Sequence, residues 1–94
     1  MFIKYKMKVS KYLVEFLGTT IFLFTILRFP NPAMIALTLF FIVIIGGKVS
    51  GGHFNPAVSV MKHVKGELNR FDMVLYILVQ VLGGLFALSL YKLL

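Results

Sequence analysis

The chain has 94 residues, of which 60% are hydrophobic and only 14% charged, and its formal net charge is +7. Soluble domains carry about 25% charged residues, so this composition excludes an ordinary water-soluble domain and indicates a chain that lies in lipid. The length suffices for one domain of about three membrane spans, each ~20 residues long, with short connections.

The charged residues exclude several functional classes. The ten basic residues flank apolar runs rather than interleaving with exposed aromatic residues, which argues against nucleic-acid binding and favours contact with anionic lipid headgroups. The chain has no cysteine, and its only acids are Glu15, Glu67 and Asp72. Because no paired carboxylates or nucleophile-base pair can be identified, we expect no enzyme, no metal site and no cofactor.

The first apolar run predicts a membrane span over about residues 12–28. It follows several lysines and so resembles a signal peptide, but no small-residue cleavage site follows it and Glu15 lies inside it. We therefore interpret it as a permanent span. The prolines after it forbid regular helix, and Asn31 is placed to cap a second span over about residues 33–49.

The segment of about residues 50–65 predicts a re-entrant loop followed by a half-helix. Gly51 and Gly52 permit non-helical backbone, while Asn55 suits a helix cap and Pro56 the first helical position. A helix of about ten residues extends ~15 Å, which is half a bilayer. Non-helical backbone at membrane depth must be buried in protein or bathed by water, so the pattern predicts a water-lined path.

A third span is predicted over about residues 71–92, which gives the basic residues a strongly uneven distribution between the two sides of the membrane. The positive-inside rule then places the N-terminus in the cytoplasm and the C-terminus outside. Eight basic residues fall on the cytoplasmic side and two on the other: Lys4, Lys6, Lys8, Lys11, Lys48, Lys62, Lys65 and Arg70 against Arg28 and Lys92.

The loop sequence SGGHFNPAVS, residues 50–59, resembles the first signature of the major intrinsic protein family, the aquaporins and glycerol facilitators. Two flanking motifs agree with it, EFLGTT at residues 15–20 and YILVQVLGG at residues 76–84. The resemblance covers the whole chain but only the first of the family's two repeats. It implies an all-α membrane protein with three transmembrane helices plus one re-entrant half-helix, half of an inverted-repeat bundle.

The resemblance also implies roles for individual residues. Glu15 and Gln80 are carried over as the residues that hold the re-entrant loop, and physical reasoning agrees, since an ionisable group within a span needs buried hydrogen-bond donors. Ile35 is carried over to the outer constriction, where water channels usually have phenylalanine. The complete pore-lining set is Phe22, Ile35, Gly51, Gly52, His53, Asn55, Pro56, Ala57 and Val58.

The function that the resemblance implies is a passive channel subunit for water or small neutral solutes such as glycerol. The Asn55 amide would donate a hydrogen bond to the solute while the positive end of the half-helix opposes cations. Because a half-helix lines only half of the bilayer, we expect a second half-channel, either another copy or a complementary chain, within an oligomer. Phe54 is then expected near the point where the two tips meet.

A different class of function is also open, that of a non-conducting membrane protein. Such a chain would be a truncated product, or a half-repeat kept for assembly with full-length channels.

Overall fold

The protein is described by a computed structural model over residues 8–94, so Lys4 and Lys6 of the basic segment lie outside the described residues. The helices are α1 (Val9–Arg28), α2 (Pro32–Ser50), α3 (Pro56–Lys65) and α4 (Arg70–Leu93). Three of them, α1, α2 and α4, are long and apolar enough to cross a membrane. Residues 8–94 contain no strand, so the predicted all-α fold with three span-capable helices is confirmed.

Local sequence sets where the helices begin and end. The three helices after α1 each start at an asparagine whose side-chain oxygen accepts a first-turn N–H: Asn31, Asn55 and Asn69. α2 and α3 end at Gly51 and Gly66, both with a φ of +94°, a conformation that favours glycine. α1 begins earlier than the predicted residue 12, because the lysines before the apolar run are good helix formers.

α1 lies between its neighbours, packing against α2 on one side and α4 on the other, while α3 packs against α4. Small residues bring α1 and α4 together: a Cβ atom on Gly83 would lie 2.9 Å from the backbone oxygen of Phe16. The Thr20 hydroxyl lies 3.2 Å from the Gly83 carbonyl oxygen, and the rings of Phe16 and Phe86 stack with centroids 5.6 Å apart. Such close approach at small residues is typical of helices that associate in membranes.

α1 and α4 run in the same direction, so their charged ends coincide. At one end, Lys11 Nζ lies 2.7 Å from Asp72 Oδ2, and the Tyr12 hydroxyl donates to Asp72 Oδ1 at 2.6 Å. At the other end, Arg28 and Lys92 line the same surface cavity. The fold therefore groups Arg28 and Lys92 at the end opposite Lys11.

The described part of the chain has a polar interior and an apolar exterior. The buried apolar side chains are few, whereas Glu15, Thr19, Ser59 and Gln80 are each at most 1% exposed. Large hydrophobic side chains are exposed along every helix that could span a membrane. A continuous apolar surface of this kind is unsuited to water and fits contact with lipid.

We predict that the N-terminus lies in the cytoplasm and the C-terminus outside, because the basic residues are concentrated at the Lys11 end of the bundle. A tag at each terminus, probed for accessibility in sealed cells, measures this orientation. Replacing Lys48, Lys62, Lys65 and Arg70 with glutamine should give a mixed orientation. Both tags on one side would contradict three crossings, and equal populations in the unmodified chain would show that charge does not control insertion.

Candidate functional site

The non-helical segment between α2 and α3 is attached to the bundle by one buried carboxylate, that of Glu15 in α1. Its Oε2 accepts hydrogen bonds from the Ser50 hydroxyl at 2.7 Å and the His53 N–H at 3.0 Å. Its Oε1 accepts from the Phe54 N–H at 2.7 Å and from Gln80 Nε2 at 2.9 Å. Four donors fill the about four acceptor positions of an ionised carboxylate, so Glu15 ties together α1, the loop and α4.

The loop backbone turns through three residues of positive φ: Gly51 at +94°, Gly52 at +67° and Phe54 at +52°. Glycine adopts such angles without steric cost, but a bulky residue does so only when its surroundings hold it there. The hydrogen bond from the Phe54 N–H to Glu15 and the burial of the Phe54 ring supply that restraint. The loop conformation therefore depends on contacts with α1.

The two sides of the loop backbone differ in their hydrogen bonding. Every N–H group of residues 51–54 has a protein acceptor: the Gly47 carbonyl oxygen, the Ser50 hydroxyl and, for the last two, the Glu15 carboxylate. Among the residues that the structure describes, no donor bonds the carbonyl oxygens of 51–54. The loop thus uses its N–H donors within the protein and leaves its carbonyl oxygens without a protein donor.

The Phe54 ring is buried within the bundle. Its ring is 3% exposed and occupies a slot beneath α1 and α2, where a Cβ atom would lie 2.6 Å from its Cδ1 if placed on Gly18 and 3.1 Å from its Cζ if placed on Gly46. Burial of the aromatic ring in this glycine slot is favoured, so the Phe54 side chain is unavailable for contact with a partner. That Phe54 lies near the meeting point of two half-helix tips stays a prediction. The residue that the tip exposes is Asn55.

The N-terminus of α3 opens onto an apolar groove of about 400 Å³ beside α1 and α4. Asn55 Oδ1 accepts the Ala57 N–H at 2.8 Å, so the side-chain amide group of this exposed residue points away from the helix cap. The structure places Phe22, Asn55, Pro56 and Gln80 together on this groove. Its full lining is Thr19, Phe22, Leu23, Phe54, Asn55, Pro56, Gln80, Val81, Gly84 and Leu85.

Other residues of the predicted pore set lie outside this groove. Ile35 is half-buried in the first turn of α2, at the end of that helix opposite Gly51. Ala57 is exposed and Val58 half-buried in the first turn of α3. Gly52 lies half-buried behind Gly51 in the loop. The structure therefore does not bring Ile35 to the Asn55 groove.

His53 is buried between α3 and α4. Its Nδ1 lies 2.9 Å from Ser59 Oγ, and its ring meets the Tyr76 ring with centroids 5.0 Å apart in an edge-on arrangement. The Tyr76 hydroxyl also donates to the Ser50 carbonyl oxygen at 2.6 Å, and Ser59 Oγ accepts from Gln80 Nε2 at 2.9 Å. Ser59 and Tyr76 are thus structural members of the site.

Sequence reasoning assigned no role to Ser59 or Tyr76, although helical spacing contained the signal. Ser59 lies four residues after Asn55, and Tyr76 lies four residues before Gln80, so each shares a helix face with an assigned residue. A polar side chain on such a face within an apolar segment is a candidate for the same hydrogen-bond network.

The far end of α3 carries ion pairs that lie at the surface. Glu67 of the α3–α4 linker pairs with Lys65 at 2.8 Å and with Lys62 at 3.0 Å. Hydrogen bonds from Lys65 and Lys62 hold the pKa of the Glu67 carboxyl below its usual value. The basic residues at the C-terminal end of α3 also complement the negative end of the helix dipole.

The amino-acid sequence of this chain is similar to a known family and to several known proteins. The family described as Major intrinsic protein matches residues 3–94. The chain is 34% identical over 99 residues to Aquaporin-8 of Mus musculus, an alignment that covers 94% of this chain and 38% of that protein. It is 31% identical over 91 residues to Glycerol uptake facilitator protein-like 6 of Lactiplantibacillus plantarum, covering 87% of this chain and 42% of that protein.

A third relative, Aquaporin Z of Photorhabdus laumondii, is 39% identical over 51 residues, which is 54% of this chain and 22% of that protein. The chain therefore spans less than half the length of these relatives. No solved structure matches it significantly.

We predict that Gly18→Ala destabilises the fold by about 1–3 kcal/mol, because the added methyl group would overlap the Phe54 ring and force this residue out of its slot. Thermal unfolding in detergent measures the effect. Gly47→Ala is the matched control, since a Cβ atom there would meet nothing within 4 Å. Equal melting temperatures for the two variants would contradict the role of Phe54 as the packed anchor of the loop.

Proposed function

This chain belongs to the major intrinsic protein family, and we propose that it is a subunit of a passive transmembrane channel for water or small neutral solutes such as glycerol. The observation that carries the proposal is the asymmetry of the loop. Its N–H groups bond to the protein while the carbonyl oxygens of residues 51–54 remain available, next to the exposed Asn55 amide. A hydroxyl-bearing solute needs both kinds of partner when it leaves water.

The proposed mechanism replaces the hydrogen bonds of the solute one at a time. The carbonyl oxygens of the loop accept from the solute, and the Asn55 amide donates to it at the end of α3. The apolar wall that includes Phe22 offers no competing partner, which keeps the solute moving along the polar side. The positive dipole end of α3 at the same point opposes the passage of cations.

The names of two relatives refer to two different solutes, water and glycerol. The mouse relative is named an aquaporin, and the Lactiplantibacillus relative is named a glycerol uptake facilitator. Ile35 is proposed to lie at the outer constriction, where its side chain leaves more room than a phenylalanine ring. Swelling of vesicles in a glycerol gradient, compared with shrinkage in an impermeant osmolyte, separates a water-only channel from one that also admits glycerol.

The complete pore is proposed to need a second half-channel. α3 has ten residues and so extends ~15 Å, about half of a ~30 Å hydrocarbon core. An inverted second copy of the chain would bring two α3 tips together, yet the basic residues favour the same orientation for every copy. We therefore propose a complementary chain of opposite charge bias, or a minority of inverted copies, within an oligomer.

We predict that Asn55→Asp lowers solute flux or introduces a cation leak, because it adds a negative charge where the amide donates while keeping a good helix cap. Osmotic flux and cation conductance of proteoliposomes measure the two effects. Asn31→Asp is the matched control, since Asn31 also caps a helix but lies away from the groove. Unchanged flux and unchanged cation exclusion in Asn55→Asp would remove Asn55 from the mechanism.

We also predict that the purified 94-residue chain conducts only when copies are paired tip to tip. The chain contains no cysteine, so a single Ala57→Cys in the exposed first turn of α3 reports such pairing by disulfide crosslinking. Met61→Cys, exposed one turn further from the tip, should not crosslink.

The osmotic flux of the same preparations decides between the two classes of function. Flux that rises with the crosslinked fraction supports the paired half-channel. Full flux from strictly monomeric or strictly parallel preparations would contradict it. Absence of flux from crosslinked preparations would rule out a channel made of two identical copies, and would favour either a complementary chain or a non-conducting partner of longer channels.

A further inference from the structure

A chain of buried hydrogen bonds runs from Glu15 to His53, and its direction is set at the Glu15 end. An ionised carboxylate only accepts hydrogen bonds, so Gln80 must present its Nε2 amide group to Glu15 Oε1, at 2.9 Å. The same Nε2 carries a second proton and lies 2.9 Å from Ser59 Oγ. Ser59 therefore receives a hydrogen bond from Gln80.

The hydrogen bond from Gln80 to Ser59 also determines the direction of the hydrogen bond between Ser59 and His53. Its side chain is 0% exposed, so its hydroxyl proton has no access to solvent. Within the described residues, the partners of Ser59 Oγ are Gln80 Nε2, which donates, and His53 Nδ1 at 2.9 Å. A buried hydroxyl proton without an acceptor is unfavourable, so the Ser59 hydroxyl donates to His53 Nδ1.

We propose that Ser59 is a positioning residue that holds neutral His53 in the tautomer protonated at Nε2, so that the ring offers one N–H donor at the mouth of the loop. His53 Nε2 lies beside exposed Gly51, since a Cβ atom there would be 3.3 Å from it. This inference rests on the proposed channel function. A solute oxygen that reaches Gly51 would meet the His53 donor close to the loop carbonyl oxygens.

The other neighbours of His53 fix the ring without supplying a competing partner for Nδ1. The Tyr76 ring packs edge-on against it, and the Tyr76 hydroxyl is engaged by the Ser50 carbonyl oxygen at 2.6 Å. Glu15 bonds the His53 backbone N–H rather than the ring. The charged groups that act on the imidazole are Glu15 from α1 and Lys62 from α3, which have opposite signs.

His63 provides an internal control, because its own partner requires the opposite tautomer. Its Nδ1 lies 2.8 Å from the carbonyl oxygen of Leu68, which can only accept a hydrogen bond. Neutral His63 therefore carries its proton on Nδ1. The chain has just two histidines, so one sample contains both tautomers and the two can be told apart.

Nitrogen-15 NMR of the full chain, labelled at histidine and held in lipid bilayers at a pH where both rings are neutral, tests the tautomers directly. Protonated and unprotonated ring nitrogens differ strongly in chemical shift, and His63→Gln assigns the two sets of signals. We expect His53 protonated at Nε2 and His63 at Nδ1. His53 protonated at Nδ1 in the unmodified chain would overturn the proposal, whatever the variants do.

Substitution of Ser59 tests its positioning role. Ser59→Ala should convert His53 to a mixture of tautomers and leave His63 unchanged, whereas Ser59→Thr, which keeps the hydroxyl, should retain the Nε2 tautomer. An unchanged His53 spectrum in a folded Ser59→Ala variant would overturn the role of Ser59. If Ser59→Ala does not fold, the spectra of the unmodified chain and of Ser59→Thr still decide the tautomer.

Osmotic flux through the same preparations separates this proposal from the channel function itself. We expect a several-fold loss of flux in Ser59→Ala and recovery in Ser59→Thr. Unchanged flux in Ser59→Ala, despite an altered tautomer, would overturn the part of the proposal in which the His53 Nε2 donor meets the solute. Absence of flux from the unmodified, paired chain would count against the channel function, and the spectra would then decide the tautomer assignment independently.

Discussion

Backbone polar groups in a hydrocarbon environment must find partners within the protein, and the non-helical segment of this chain meets that requirement through Glu15. One carboxylate accepts two backbone N–H groups, a serine hydroxyl and a glutamine amide from three different parts of the chain. Without it, the buried residues His53 and Phe54 would have unpaired backbone N–H groups. The loop, the start of α3 and the polar interior around Gln80 all depend on this one side chain.

Satisfying the loop from one side only has a functional consequence. Because the carboxylate takes up donors, the carbonyl oxygens of the loop are left without a protein partner, and the amide group of exposed Asn55 adds a donor next to them. The packing of Phe54 between Gly18 and Gly46 holds the backbone in the required conformation. The contacts that hold residues 51–55 in place and the groups proposed to bind the solute thus belong to the same five residues.

The helices and the helix ends could be predicted from the sequence because their signals are local. Asn31 and Asn55 each precede a proline, and asparagine is favoured as a helix cap and proline at the first helical position. The family resemblance rested on contiguous motifs, and comparison with relatives bears it out over nearly the entire chain. The position of Phe54 could not be predicted, since its slot is formed by glycines from two separate helices.

The hydrogen-bond network also contains residues that could be predicted from the sequence and residues that could not. Glu15 and Gln80 were assigned through the family resemblance, and for Glu15 the cost of an ionisable group inside an apolar span agreed with it. Ser59 and Tyr76 belong to the network only through helix packing. The clasp of Asp72 with Tyr12 and Lys11 joins residues about sixty positions apart, a separation that no local pattern encodes. The roles of individual pore residues stay proposals that await flux measurements.

The order of synthesis gives the Glu15 network one more consequence. α1 is translated before the loop and α4, and it enters the membrane carrying a carboxylate whose partners are 35 to 65 residues further along the chain. An acidic group inside an isolated span opposes insertion by at most about 2.5–3.5 kcal/mol, the value for aspartate at the helix centre. That cost is offset only when the loop and Gln80 arrive, so α1 becomes fully stable in the bilayer only after α4 has been made. Membrane integration of this chain is therefore cooperative across its helices rather than completed one helix at a time.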